Sequence, residues 1–272
     1  MSKYKMLATD LDDTLLDSDL NIHPLDREAL VLAREQGIRL VLSTGRMYRA
    51  TLPFAVELGI DTPLITYQGA LVKSLATGEV LLHRPVPLAL ALKVLESVNP
   101  LGYHVNVYLD DCVYIEKNTP ENLQYEKISR VKSQEVGPLD LFLKRESRDP
   151  TKVLVVAGEE EIKSLETHMK ALFGEQLHIT ISKPKFLEFS HPQATKGRAL
   201  ELVAGLYGIS RQEIVAVGDS YNDLEMLQYA GLGAVVGNAP EAVKAVAQYV
   251  SRPNTQGGLS EIIHKFILSG AG

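Results

Sequence analysis

Polar and apolar positions along this chain fall into three stretches of different period. In the first, residues 4–10 form a short apolar run that predicts a buried strand. Over 26–36, Leu30, Ala33 and Arg34 recur at helical spacing, and Gly37 is placed to close the helix. "IRLVLSTG" (38–45) predicts a second strand. Residues 49–59 predict a helix in which Pro53 is tolerable only near the first turn. "PLITYQG" (63–69) predicts a third strand. Strand, helix, strand, helix, strand with short links means a parallel sheet with helices on both faces.

Past residue 70 the pattern changes. Residues 70–86 predict a hairpin turning at Thr77-Gly78, 87–99 a helix, and 103–117 a second hairpin turning at Leu109-Asp110-Asp111. A strand (152–158), a helix (159–174) and a third hairpin (177–190) follow. In that helix Ile162, Leu165, Met169 and Leu172 form one apolar stripe, which predicts core packing. Hairpins mixed with helices predict an antiparallel α+β domain. The parallel pattern returns with a helix at 195–208, a strand at 213–220, a helix at 222–231, a strand at 233–239 and a helix at 240–248. The expected fold class is therefore α/β: a Rossmann-like parallel-sheet core over 1–83 and 191–272, split by an α+β insert over 84–190.

Composition narrows the function classes. The chain has 272 residues, 45% of them hydrophobic and 23% charged, which is ordinary for a globular protein. A net charge of −6 argues against a nucleic-acid surface and against adhesion to anionic lipid. Cys112 is the single cysteine, so no intrachain disulfide can form, which fits a reducing, cytoplasmic setting. Asp110 and Asp111 beside it would raise a thiol pKa, against a nucleophilic role. Asp10 interrupts the first apolar run too early for a signal segment, and no apolar stretch approaches the ~20 residues that span a membrane.

The candidate chemistry sits where strands end. The first strand runs into Asp10-Leu11-Asp12-Asp13-Thr14, the second into Ser43-Thr44-Gly45-Arg46, and a late one into Gly218-Asp219-Ser220-Tyr221-Asn222-Asp223; a helix opens at Thr195-Lys196-Gly197. In open parallel sheets, ligands bind beyond the carboxyl ends of the strands. Crowded carboxylates call for a hard cation with oxygen ligands, and Mg²⁺ fits. A hydroxyl and an ammonium beside them call for an anion, and a phosphoryl group fits. At ~4 Å and an effective dielectric of about 20, each carboxylate–phosphate charge pair costs about 4 kcal/mol, so attack on a phosphate needs the positive groups.

These four motifs, in this order, resemble those of the haloacid dehalogenase superfamily of phosphohydrolases, and within it the Cof-type subfamily. D-x-D-x-T is matched by Asp10 to Thr14, with Asp13 where glycine is usual. The T/S-G-R strand end is matched by "LVLSTGR", the lysine motif by Lys196 in "ATKGRAL", and G-D-x-x-N-D by Gly218 to Asp223. The resemblance spans the chain, and its insert falls where this subfamily carries a C2-type cap that closes over the site and sets specificity. It implies an Mg²⁺-dependent phosphatase acting on small phosphorylated metabolites. Asp10 would be the nucleophile, forming an aspartyl-phosphate, and Asp12 the acid/base. Asp10, the main-chain carbonyl of Asp12, and Asp219 would hold the metal. Thr44, Lys196 and Asn222 would bind phosphoryl oxygens. Asp223 would orient Lys196 or a metal-bound water, with Gly45 and Arg46 in support, Arg46 facing the leaving group.

Asn222-Asp223 also suit the start of the following helix, a role compatible with catalysis. His191 reads as a loop residue, since Asp12 fills the acid/base role. Tyr67-Gln68 departs from the subfamily's asparagine-glycine. Two rivals stand beside the phosphatase. A phosphomutase would use arginines for a second phosphate, for which Arg84, Arg130, Arg145 and Arg148 lie in the insert. A phospho-receiver-like switch would be a non-enzymatic binding module, but it needs only about half this length and has no G-D-x-x-N-D.

Overall fold

The computed structural model describes residues 2–269, which divide into two compact units. Among the described residues the first comprises 2–45, 51–82 and 195–269; the second comprises Arg46–Ala50 and His83–Ala194.

The first unit is built on a five-stranded sheet in the order Tyr249–Val250, Leu232–Val235, Ile214–Gly218, Met6–Thr9, Arg39–Leu42, with every neighbouring pair parallel. Met6–Thr9 is buried on both faces, so Met6, Leu7 and Ala8 are apolar in succession instead of alternating. Met6 and Ala8 pack with Leu200, Val203 and Met226 from the helices Lys196–Leu206 and Leu224–Tyr229. Leu7 and Val215, which alternate to the opposite face, are equally buried. The helix Pro24–Glu35 packs against Gly258–Ile263. After Met6–Thr9 the chain proceeds to Arg39–Leu42 on one side, and after Ile214–Gly218 to Leu232–Val235 on the other. The crevice between the two central strands is thus a topological switch point.

The third strand departs from expectation. Leu64–Thr66 touches the parallel sheet through one bridge, Ile65 to Ser43, and otherwise pairs antiparallel with Leu71–Lys73 in a separate three-stranded sheet that Val80–His83 completes. The chain leaves the strand early because Tyr67–Gly69 forms a tight 3₁₀ turn. Pro53 lies inside the helix Tyr48–Glu57 and not in its first turn. Pro53 and Arg49, four residues before it, are both exposed, so water can satisfy the carbonyl that loses its donor.

The second unit holds a six-stranded sheet in the order His178–Lys183, Phe186–Ser190, Lys152–Val156, His104–Leu109, Cys112–Ile115, Ser133–Glu135. It is mixed where an antiparallel sheet was expected, because the edge pair Cys112–Ile115 and Ser133–Glu135 is parallel. Two helices, Pro120–Ser129 and Leu139–Glu146, and that edge strand occupy a stretch where the sequence pattern predicts no element. Val105, Val107, Val153, Val155, Leu187 and Phe189 pack with residues of the helices Leu88–Val98, Leu139–Glu146 and Glu159–Phe173. In the last of these helices the stripe is Ile162, Leu165, Met169 and Phe173, while Leu172 is 48% exposed. Leu172 and Phe173 flank the stripe on opposite sides, and the strand His178–Lys183 packs against this helix.

Candidate active site

Strand register brings three of the four motifs to one sheet edge. Thr9 pairs with Leu42 on one side and Val217 on the other, so Asp10, Ser43-Thr44 and Gly218-Asp219 leave the sheet at the same level. Asp10 is anchored there by its amide, which donates to the Val217 carbonyl at 2.9 Å. Lys196 joins them from the first position of the helix Lys196–Leu206, whose N-cap Thr195 accepts from the Arg198 amide. A Cβ at Gly197 would press on Glu225, so glycine there lets this helix approach Leu224–Tyr229 closely.

The Lys196 ammonium is fully buried and donates to Asp10 Oδ1 and to Asp223 Oδ1, both at 2.7 Å. Asp223 is spent in this role, since its Oδ2 accepts from the Asp219 and Ser220 amides at 3.0 Å each. A Cβ at Gly218 would collide with the Asp223 carboxylate, which gives that glycine its reason. Thr14, the last residue of the first motif, donates its hydroxyl to Asp219 Oδ1 at 2.7 Å. Thr44 is buried; its amide donates to the Ile65 carbonyl at 2.9 Å and its carbonyl accepts from the Gln68 amide at 3.0 Å. Asn222 donates its side-chain amide to Gln68 Oε1 at 2.8 Å.

The other predicted residues sit around this network. Asp12 is half-buried in the turn after the strand, bridged through its backbone to Leu16. Gly45 lies next to the Gln68 side chain, and the half-buried Arg46 begins the segment that groups with the second unit. His191 Nδ1 accepts from the Gln193 amide at 3.1 Å, a local turn contact; burial, then Arg84, lowers its pKa. Asp13 takes a left-handed backbone, φ +58°, a conformation that glycine adopts without strain. Two contributors escaped the sequence reading. Thr14 stood inside the first motif without a role, and Asn238, which follows a strand end, donates to the Asp13 carbonyl at 2.7 Å.

The electrostatics of the site favour a nearby positive charge. Asp10, Asp219 and Asp223 each offer an oxygen within 4.8 Å of the others. Burial raises the Asp10 pKa well above its ordinary value; Lys196 opposes this, while Asp223 and Asp219 reinforce it. Asp219 is pushed up to about 7, by burial first and the Asp223 charge second, against the Thr14 hydroxyl. Burial works against the Lys196 charge, yet Asp10 and Asp223 outweigh it and hold its pKa above the usual lysine range. Burial is the largest cause of both carboxylate shifts, and the mutual repulsion of three carboxylates beside one ammonium adds to it. The donor set fits a divalent cation, which would supply the charge that Lys196 alone cannot. With Asp223 committed to Lys196 and two amides, Asp10 and Asp219 are the carboxylates suited to it.

The haloacid dehalogenase-like hydrolase family model matches residues 7–263. The chain belongs to that family. Among its relatives is the pyridoxal phosphate phosphatase YbhA of Escherichia coli, 29% identical, with 97% of this chain and 99% of that protein covered. Another is the 5-amino-6-(5-phospho-D-ribitylamino)uracil phosphatase YitU of Bacillus subtilis, 28% identical over 97% of this chain and 98% of the other. The crystal structure of a haloacid dehalogenase-like hydrolase from Bacteroides thetaiotaomicron superposes with a TM-score of 0.87 at 28% identity, covering 96% of this chain and 99% of that one. This haloacid dehalogenase-like protein is an enzyme of the phosphatase class, so the non-enzymatic switch is set aside. No helix among the described residues is long and apolar enough to cross a membrane.

Proposed function

We propose that the protein hydrolyses small phosphorylated metabolites through a phosphoryl group carried transiently on Asp10. The observation that carries this reading is the Asp10 carboxylate at the switch point, held by a fully buried lysine and crowded by two further carboxylates. Folding alone gains nothing from such crowding, whereas in-line attack on a phosphate ester requires a fixed carboxylate in a cation-rich setting.

Asp10 attacks phosphorus and the ester oxygen departs, taking a proton from Asp12. Water then attacks the aspartyl-phosphate, Asp12 accepts its proton, and inorganic phosphate leaves with the Asp10 carboxylate restored. Thr44, Lys196 and Asn222 hold the phosphoryl oxygens through both steps. Mg²⁺, held by Asp10, Asp219 and the main-chain carbonyl of Asp12, would offset the repulsion between carboxylate and phosphate. The two named relatives act on esters with different organic parts, pyridoxal phosphate and a phosphoribitylamino uracil. Their likeness therefore supports the reaction and leaves the metabolite to be set by this chain's own residues. A single cysteine suits a reducing cytoplasm.

Intact-mass spectrometry after mixing with an activated aryl phosphate tests the mechanism. Asp12→Asn should gain the mass of one phosphoryl group, because an activated leaving group needs little protonation while hydrolysis of the intermediate still needs the base. Asp10→Asn should gain none and should not turn over. Phosphate found on another residue, or normal turnover by Asp10→Asn, would falsify the assignment.

A further inference from the structure

The turn Tyr67–Gly69, the segment that departs from the family's sequence, joins three of the four motifs. Its backbone is unusual: Tyr67 (φ +52°), Gln68 (φ +59°) and Gly69 (φ +93°) are successively left-handed. Two consecutive non-glycine residues in that region are costly and persist only where surroundings fix them. Those surroundings are the site. The Gln68 amide donates to the Thr44 carbonyl at 3.0 Å, in the second motif. Gly69 packs against the Thr195 carbonyl and the Lys196 amide, in the third, so closely that a Cβ would collide with them. The Gln68 side chain, 4% exposed, accepts from the Asn222 amide at 2.8 Å, in the fourth. Its own amide nitrogen occupies the space a Cβ on Gly45 would need.

We propose that Gln68 is a positioning residue for Asn222, fixing which way that amide faces in the phosphoryl pocket beside Thr44; this rests on the reading of Thr44 and Asn222 as phosphoryl-binding groups. A half-buried asparagine is free to rotate its side chain, and its oxygen would repel an anion where its nitrogen attracts one. With Oε1 of Gln68 taking one amide hydrogen, the Asn222 nitrogen is held on that side and its second hydrogen remains to be offered to a phosphoryl oxygen. The left-handed turn is what brings Oε1 there, since the same backbone bonds Thr44. Gly45 is matched to this arrangement, leaving room for a glutamine amide at that point.

The test is the effect of Asn222→Ala in three backgrounds, read as the inhibition constant of orthophosphate and as separate kcat and KM values. In the natural background Asn222→Ala should weaken orthophosphate binding roughly 10- to 150-fold, the worth of one hydrogen bond to a charged group. In Gln68→Met, which preserves length and backbone but offers no acceptor, it should cost less than about twofold, because the unheld amide already contributes little. Gln68→Glu retains an acceptor, so the Asn222→Ala effect should return there even though the added charge weakens phosphate binding overall. Gln68→Ala replaces the methionine variant if that one is not recovered folded. An equal Asn222→Ala effect in all backgrounds would mean that Gln68 only packs, and overturns the inference while the phosphoryl site stands. No Asn222→Ala effect in the natural background overturns both.

Discussion

Replacing Lys196 by methionine removes the buried cation that pairs with Asp10 and Asp223. Lys196 Nζ lies 2.7 Å from both Asp10 and Asp223. At an effective dielectric of about 20, each pair at that distance is worth about 6 kcal/mol of Coulomb attraction. The gross loss of about 12 kcal/mol is offset by no longer burying an ammonium. It is further limited because a stranded carboxylate can take up a proton. Removing one partner of a buried pair typically costs about 3–5 kcal/mol, and the loss for Lys196→Met at pH 7.5 should fall in that range. The pH dependence carries the sharper test. Asp10 already has a raised pKa, chiefly from burial, and losing Lys196 removes the group that opposes the rise. Proton uptake at pH 5.5 should therefore relieve part of the repulsion, so the variant's deficit should shrink as pH falls. Urea unfolding of both proteins in EDTA, at pH 5.5 and 7.5, measures this. A deficit below about 1 kcal/mol at pH 7.5, or one that grows on acidification, refutes the account of the site as short of positive charge.

EDTA should abolish hydrolysis and Mg²⁺ restore it, with Asp219→Asn losing the response while remaining folded by circular dichroism; undiminished turnover without divalent metal would sink the metal's role. Asp26 is buried with Oδ1 on the Ser260 amide and Oδ2 unpartnered, and burial pushes its pKa up to about 6, against the Ser260 amide and the His23 and Arg252 charges. A raised carboxylate loses stability as pH climbs from its unfolded value to its folded one, here from 3.8 to about 6, by about 3 kcal/mol in all. Asp26→Asn should accordingly stabilise by about 1–3 kcal/mol at pH 8 and by nothing at pH 4, measured by denaturant unfolding, and a pH-independent effect would contradict this. Asp13→Gly relieves a left-handed backbone at an exposed position. It should change stability by less than about 1 kcal/mol and turnover by less than about threefold, and a large loss in either assay would give Asp13 a role that its geometry does not.

The elements missed by the sequence pattern share a physical cause. The helix Pro120–Ser129 buries Asn122, Tyr125 and Ser129, so its inner face is largely polar and gives no apolar period. Leu139–Glu146 buries Leu139, Phe142 and Leu143, too few to mark a helix before its packing is known. Leu172 and Phe173 both flank a sound stripe, and only the position of the sheet decides which one is covered.

Local order determined much of the rest. Apolar runs halted by Asp10, by Thr44 and by Asp219 are strands ending in chemistry, because a carboxylate or hydroxyl in a buried strand is costly unless it finds a partner. The parallel core and the places where chemistry gathers were therefore legible without coordinates. Partnership was not. Thr14 and Asp219 stand 205 residues apart, Gln68 and Asn222 154 apart, and Lys196 and Asp223 27 apart. Their bonds follow from strand register and from a left-handed turn that no periodicity announces. Which carboxylate receives the lysine, which is left in need of a cation, and what holds Asn222 were decided only when the chain folded, since hydrogen bonds and desolvation depend on distances that sequence separation does not encode.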